Sequence, residues 1–154
     1  MAAMRARWLM AVAGAILVAG LAAGCASTTK MDLDLTASED LNPSPEGRPS
    51  PLVVRVFELR SPEPFGSADF FALYDDSTQV LGPSLVDHQE LELKPGENLR
   101  VKRELHPDTQ VLGVMAAYRD LDHAHWRELY SLKVGKNNKL RVDLGSLSVS
   151  VTEQ

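Results

Sequence analysis

Two groups of residues in this chain have the chemistry to do something specific. The first is Cys25, the single cysteine among 154 residues. A lone thiol has no partner for an intramolecular disulfide, so its use must lie in a bond to something outside the chain. The second is the run Tyr118 to Arg127, YRDLDHAHWR, in which His123 and His125 are flanked by Asp120 and Asp122. On a strand, positions i and i+2 share a face, and two imidazoles so placed could begin a metal site. This run reads instead as a turn between two strands, and His88 and His106 sit on other segments, so no third ligand is in view. Asp120 and Asp122 are expected to shape that turn through side-chain to backbone hydrogen bonds, with Arg119 or Arg127 pairing nearby. No nucleophile elbow, phosphate loop or zinc spacing occurs elsewhere. Catalysis is not expected, and no metal or cofactor is assigned.

The elements around Cys25 say what its thiol is for. Residues 1–24 carry a basic start at Arg5 and Arg7, an apolar run from Trp8 to Leu21, and the small residues Ala22, Ala23 and Gly24. This is the layout of a secretory signal peptide. The run is too short for a bilayer-spanning helix, which needs about 20 apolar residues. Leu21-Ala22-Ala23-Gly24-Cys25 resembles the bacterial lipoprotein box, with Ala22 where leucine is usual. The box implies cleavage before Cys25 and acylation of its thiol and new amino group. The alternative is an ordinary signal peptide cut near Gly24 that leaves a free exported thiol. One acyl chain holds a protein only marginally, at ~0.8 kcal/mol per buried CH2, whereas several hold it stably. Ala26, rather than aspartate, follows the cysteine. The expected location is the inner leaflet of the outer membrane, facing the periplasm, with a covalent lipid on Cys25.

Removing the signal takes Arg5 and Arg7 and no acid, so the formal charge moves from −5 to −7. Nucleic-acid binding depends on clustered Lys and Arg, which makes a protein the expected partner. The 130 residues that remain of 154 suffice for one domain with a core. A tether of residues 25–29 is short, so the domain, residues 30–154, must sit close to the membrane.

The domain reads as strands. From Lys30 to Ala37, Met31, Leu33 and Leu35 alternate with Asp32, Asp34 and Thr36, the pattern of a strand with one buried face. At ~3.3 Å per residue it carries the following turn roughly 25 Å from the anchored end. That turn, Ser38 to Pro51, holds Pro43, Pro45, Pro49 and Pro51 and one large apolar residue, Leu41. Structureless loops this long are uncommon in compact domains, and prolines lower the ordering cost of docking. A presented binding loop, a solvated linker and a cover for a sheet edge all fit. Leu52 to Arg60 is apolar on both faces, so it is covered on both sides. The expected cover is a helix from Ala68 to about Asp76, capped by Ser67 and turning Phe70, Phe71, Leu73 and Tyr74 to the sheet, within an insertion at 67–83. Further strands are expected at Val86 to Leu93, Leu99 to Leu105, Val111 to Arg119, Trp126 to Lys133, Leu140 to Leu144 and Leu147 to Thr152, with Pro95-Gly96 and Lys136-Asn137-Asn138 as turns. The sum is an all-β fold of about eight strands with one short helical insertion.

These features together resemble a known family. The lipoprotein start, Asp40-Leu41-Asn42-Pro43 running to Gly47-Arg48-Pro49, the strand Val53 to Leu59, the segment Ala68-Asp69-Phe70-Phe71-Ala72-Leu73-Tyr74, the turn Leu93-Lys94-Pro95-Gly96-Glu97 and the segment Tyr118 to Asp122 are similar, in order and spacing, to the type VI secretion system lipoproteins of the TssJ (SciN) family. The resemblance implies a transthyretin-like two-sheet β-sandwich. It implies an outer-membrane anchor for the envelope-spanning complex that binds the periplasmic C-terminal region of TssM through the loop between strands one and two, here Ser38 to Pro51. Glu39, Asp40, Leu41, Asn42 and Pro43 are the expected contacts, with Leu41 as apolar anchor and its neighbours as the polar rim. A lipoprotein that binds a small ligand or metal in the periplasm is the alternative.

Overall fold

Apolar alternation with a period of two makes strands that need a second sheet to cover them, and here two four-stranded sheets provide it for each other. The computed structural model describes residues 27–154; the expected signal peptide, residues 1–24, and Cys25 lie outside them. The strands are β1 Lys30–Ala37, β2 Leu52–Leu59, β3 Leu85–Leu93, β4 Asn98–Glu104, β5 Val111–Ala116, β6 Arg127–Ser131, β7 Asn137–Leu144 and β8 Val149–Glu153. One sheet has the order β4-β1-β7-β8 and the other β3-β2-β5-β6. All neighbours are antiparallel except β1 and β7, which run parallel with Lys30 opposite Asn137 and Ala37 opposite Leu144. The chain thus changes sheet repeatedly.

The expected alternation holds in β1, where Met31, Leu33 and Leu35 are buried against the other sheet. The two-faced strand β2 is covered twice, as its sequence predicts. Its inward row Leu52, Val54 and Val56 joins the core between the sheets. Phe57 and Leu59 face outward into a second core under the helical insertion. Glu58 falls on the inward row and is buried at the sandwich edge, where Arg103 Nη2 of β4 meets its Oε1 at 2.6 Å. Thr109 Oγ1 donates to the other oxygen at 2.7 Å, and Arg103 also pairs with Asp87 of β3. This network ties the edge strands of the two sheets together at one end.

The insertion differs from expectation. It consists of α1 Glu63–Ser67, α2 Phe70–Asp75, α3 Ser77–Leu81 and a 3-10 turn at Gly82–Ser84. The cap of α2 is Asp69, not Ser67: the Asp69 carboxylate accepts from Phe71 N and Ala72 N. Ser67 ends α1, and its hydroxyl donates back to Glu63 O at 2.8 Å. Phe65, Phe70 and Leu73 are buried, whereas Phe71 is exposed. Gly113 of β5 makes this packing possible, because a Cβ there would lie 3.1 Å from both Leu59 and Phe65. The second correction concerns Lys136-Asn137-Asn138. The turn is two residues earlier, at Val134 and Gly135, and it joins strands of different sheets rather than forming a hairpin. Asn138 is buried in β7, where it accepts from Lys133 N at 2.8 Å. The strand expected at Trp126 to Lys133 is shorter, as β6, and the last strand opens at Val149.

Candidate functional site

The strand β1 has two ends with different surroundings, and this divides the molecule. At its start, Thr29 O accepts from Leu105 N at 2.9 Å and Thr29 Oγ1 accepts from Gly135 N at 2.8 Å. Thr29 is therefore clamped between the β4–β5 and β6–β7 connections, and residues 27–28 lie outside the strands at that base. At the far end of β1, four connections meet: the 38–51 loop, the β3–β4 turn, the β5–β6 segment and the β7–β8 turn. Ser38 N donates to Leu144 O and Gly96 N to Ser38 O. Asn42 N donates to Ser146 O at 3.0 Å, and the Tyr118 hydroxyl donates to Ser148 O at 2.7 Å. Burial pushes the Tyr118 phenol above its ordinary range, so the hydroxyl stays a donor to the β7–β8 turn.

The loop's own residues divide into those that hold it and those that it shows. Leu41 is 0% exposed and lies in the core between the sheets. It is an apolar anchor, but for its own domain; the expectation that it reaches into a partner is corrected by that burial. Asn42 is buried too. It adopts φ 45°, a left-handed conformation that asparagine tolerates better than most residues. There its Nδ2 donates to Pro51 O at 2.8 Å and its Oδ1 accepts from Arg119 N at 2.9 Å. One side chain thus staples both ends of the loop and the β5–β6 segment. Glu39 and Asp40 are exposed and Pro43 is partly exposed. The Glu39 carboxylate lies over Gly96, which has φ 73° and no room for a side chain: a Cβ would fall 2.6 Å from Glu39 Oε1. Beyond Pro43 the chain closes a small turn, with Ser44 N donating to Arg48 O and Gly47 N to Ser44 O, both at 2.8 Å. The Ser44 hydroxyl donates to Glu46 at 2.9 Å and holds its carboxyl below the usual range. Pro43, Pro45, Arg119 and Leu147 border an open groove of about 430 Å³ beside this turn.

The two histidines are turned to different carboxylates. His123 Nδ1 lies 2.9 Å from Asp120, which raises the imidazole above its ordinary value, and His125 Nε2 lies 2.9 Å from Glu128 Oε2. His125 also pairs its backbone with the β7–β8 turn. Among the described residues no three His, Cys, Asp or Glu side chains are grouped to hold a metal ion. Arg127, rather than pairing with the aspartates, donates to Ala68 O at 2.6 Å and so fastens the helical insertion to β6. The features that the sequence reading missed, Asn42 as a staple and Glu58 as a buried acid, were signalled by Asn-Pro in a loop and by a charge at an inward position of β2.

The chain is a two-core β-sandwich whose loops gather at one end and whose N-terminal segment enters β1 at the other. The chain belongs to the type VI secretion lipoprotein family described by the names VasD, EvfM and TssJ, whose model matches residues 29–147; this is a family of structural lipoproteins, not of enzymes. It is similar to the T6SS lipoprotein TssJ1 from Pseudomonas aeruginosa at 38% identity and TM-score 0.81, over 82% of this chain and 97% of that one. It is also similar to Serratia marcescens Lip, a membrane-bound component of the type VI secretion system, at 27% identity and TM-score 0.76, over 82% and 98%. A chain of the structure described as the TssM C-terminal domain from EAEC has the same fold, at 24% identity and TM-score 0.68, over 79% of this chain and 99% of that one. No curated protein matches the sequence significantly.

Proposed function

We propose that the mature protein is acylated on Cys25, held in the inner leaflet of the outer membrane facing the periplasm, and binds the periplasmic C-terminal region of TssM with its opposite end. The mechanism is docking without turnover. The observation that carries this reading is the division of β1: its first residues are clamped beside the tether, and its last lead straight into a stapled loop at the far end. Glu39, Asp40, Pro43 and the 44–48 turn offer the contact surface, while Leu41 and Asn42 hold that surface in shape. A loop already fixed by its own domain has little ordering left to lose on binding. The same-fold chain in the TssM C-terminal domain structure supports the choice of partner.

Calorimetric titration of residues 27–154 with the TssM C-terminal region tests the site. Replacing Asp40 by lysine should leave the unfolding temperature unchanged, since the residue is exposed, and weaken binding about tenfold or more, the scale of a lost polar contact at an interface rim. Equal binding by both proteins would move the contact away from this loop. No binding by either would refute the assignment of the partner.

A further inference from the structure

Two large apolar side chains among the described residues remain exposed, Phe71 at 62% and Val134 at 49%. Phe71 has an aromatic neighbour, with its ring edge-on to Phe70. Val134 has no such explanation. It occupies the turn between β6 and β7, where Gly135 supplies the positive φ of 71°. A turn favours Gly, Asn, Asp or Ser beside such a glycine, and a stiff β-branched side chain is not what the backbone asks for. The turn is also where the tether arrives. A Cβ on Gly135 would lie 3.4 Å from Ser27 Cβ and from Ser27 O, and Lys30 N donates to Lys136 O at 2.9 Å. Ser27, Thr28, Thr29, Leu105, Pro107 and Val134 border a partly enclosed cleft of about 190 Å³. The charges around it are uneven. Glu104 is paired by Lys30, Asp108 by Arg60 and Glu153 by Lys133. Lys136 is exposed and has no carboxylate partner among the described residues.

We propose that the turn Val134 to Lys136 rests on the lipid bilayer that holds the anchor, with Val134 in the boundary between headgroups and acyl chains and Lys136 on lipid phosphates. The inference rests on acylation of Cys25. Ser27 is two residues beyond that cysteine, a span of at most ~7 Å. An acylated cysteine has its backbone at the interface, so the turn against which Ser27 packs is held within roughly 15 Å of it. Because Thr29 is clamped on two sides, the domain cannot swing this face away on a long leash. An apolar tip flanked by a lysine whose stem can lie along the interface while its ammonium reaches the phosphates fits such a surface. The contact would orient β1 away from the membrane and point the 38–51 loop into the periplasm.

The test uses the mature lipoprotein in vesicles of phosphatidylethanolamine with a minority of phosphatidylglycerol. Acylation consumes the thiol of Cys25, so Val134→Cys introduces the one free thiol of the chain, and an environment-sensitive dye on it reports polarity. Flotation reports anchoring separately. The expected result is flotation with a blue-shifted, several-fold brighter dye that nitroxide lipids quench, while the same dye on Glu46→Cys stays unchanged. Without any label, acetylation of Lys136 should slow several-fold on vesicles relative to unacylated Cys25→Ser protein, with Lys94 at the opposite end as an unaffected reference. Flotation with position 134 as wet as position 46 and Lys136 as reactive as before would overturn the membrane contact and leave the anchor standing. Failure of the mature protein to float would refute the anchor, and the contact with it.

Discussion

Asn42→Ala is the substitution that most directly examines how the loop is held. It removes two hydrogen bonds, from Nδ2 to Pro51 O and from Arg119 N to Oδ1, and the residue is buried. Each backbone group left without a partner costs about 1–3 kcal/mol where water cannot reach it. Alanine at φ 45° adds roughly 1–2 kcal/mol of left-handed strain. The sum is on the order of 3–8 kcal/mol, toward the low end if water enters beside the partly exposed Pro43. Asn42→Gly separates the parts: it loses the same bonds but not the strain. Glycine's greater freedom in the unfolded chain returns about 0.5–1 kcal/mol of that difference. Urea unfolding of residues 27–154, extrapolated linearly to water, should therefore place alanine at or below glycine and both well below the original. Amide exchange should show the Arg119 N–H losing protection in both. A loss under about 0.5 kcal/mol for Asn42→Ala, within the range of ordinary surface changes, would refute the staple and mean that the loop is held by Leu41 and backbone bonds alone.

Leu41→Ala should cost about 2–5 kcal/mol in the same measurement, because the side chain is fully enclosed and its removal leaves a cavity; a surface-like loss would show that the loop carries Leu41 out of the core in solution. Arg103→Met should cost about 3 kcal/mol by stranding Glu58, with the partial exposure of Arg103 keeping it at the lower end, and Glu58→Gln in that background should recover part of the loss. The carboxyls of Asp34, Asp87 and Asp108 are held below their ordinary 3.8, first of all by hydrogen bonds from Arg100, Arg103 and Arg60. Such groups stabilise the fold above their unfolded value and cease to do so as the pH falls through the depressed one. The unfolding temperature should therefore fall between about pH 4 and pH 2, and a flat profile there would refute the pairing. His123 has the opposite sign: raised by Asp120, it stabilises below its ordinary 6.5 and stops doing so as the pH rises through the raised value, a small slope that His123→Ala should abolish.

Where the sequence was legible, one physical constraint dominated. In β1 the only way to bury Met31, Leu33 and Leu35 is as a strand, and in β2 apolar residues on both faces demand two covers, which the structure supplies. The helical insertion was harder because several residues there can cap. Ser67 and Asp69 are both good N-cap types, and the short helix Glu63–Ser67 has Pro64 in its first turn, where proline is tolerated, and Phe65 packed against Gly113. Asn137 and Asn138 look like turn residues by type, yet period two continues inward through Asn138, Leu140, Val142 and Leu144, and burial outweighed local preference. Strand order was not readable, since the parallel pairing of β1 with β7 joins residues more than a hundred apart in sequence. For the site, the loop's bounds were plain but the direction of Leu41 was not. A single leucine in a polar loop can serve its own core or a partner's, and hydrophobicity alone does not say which.

The relation between the two ends also determines how load would pass through the molecule. Tension applied at the tether and taken up in the 38–51 loop runs along β1, a strand already extended at ~3.3 Å per residue and within about a tenth of its full reach. That path is covalent, so no sheet hydrogen bond has to break to carry it. Tension taken up at the C-terminus would differ, because Gln154 N bonds to Lys139 O near the base and β8 is an edge strand paired only with β7, so its bonds would open one after another. Single-molecule pulling on the bound TssM region against the tether should therefore release the partner without an unfolding step in the sandwich. A handle at Gln154 should peel β8 first. An unfolding step before release in the first geometry would mean that the partner grips the β5–β6 or β7–β8 connections more firmly than the loop, and that the load crosses the sheets.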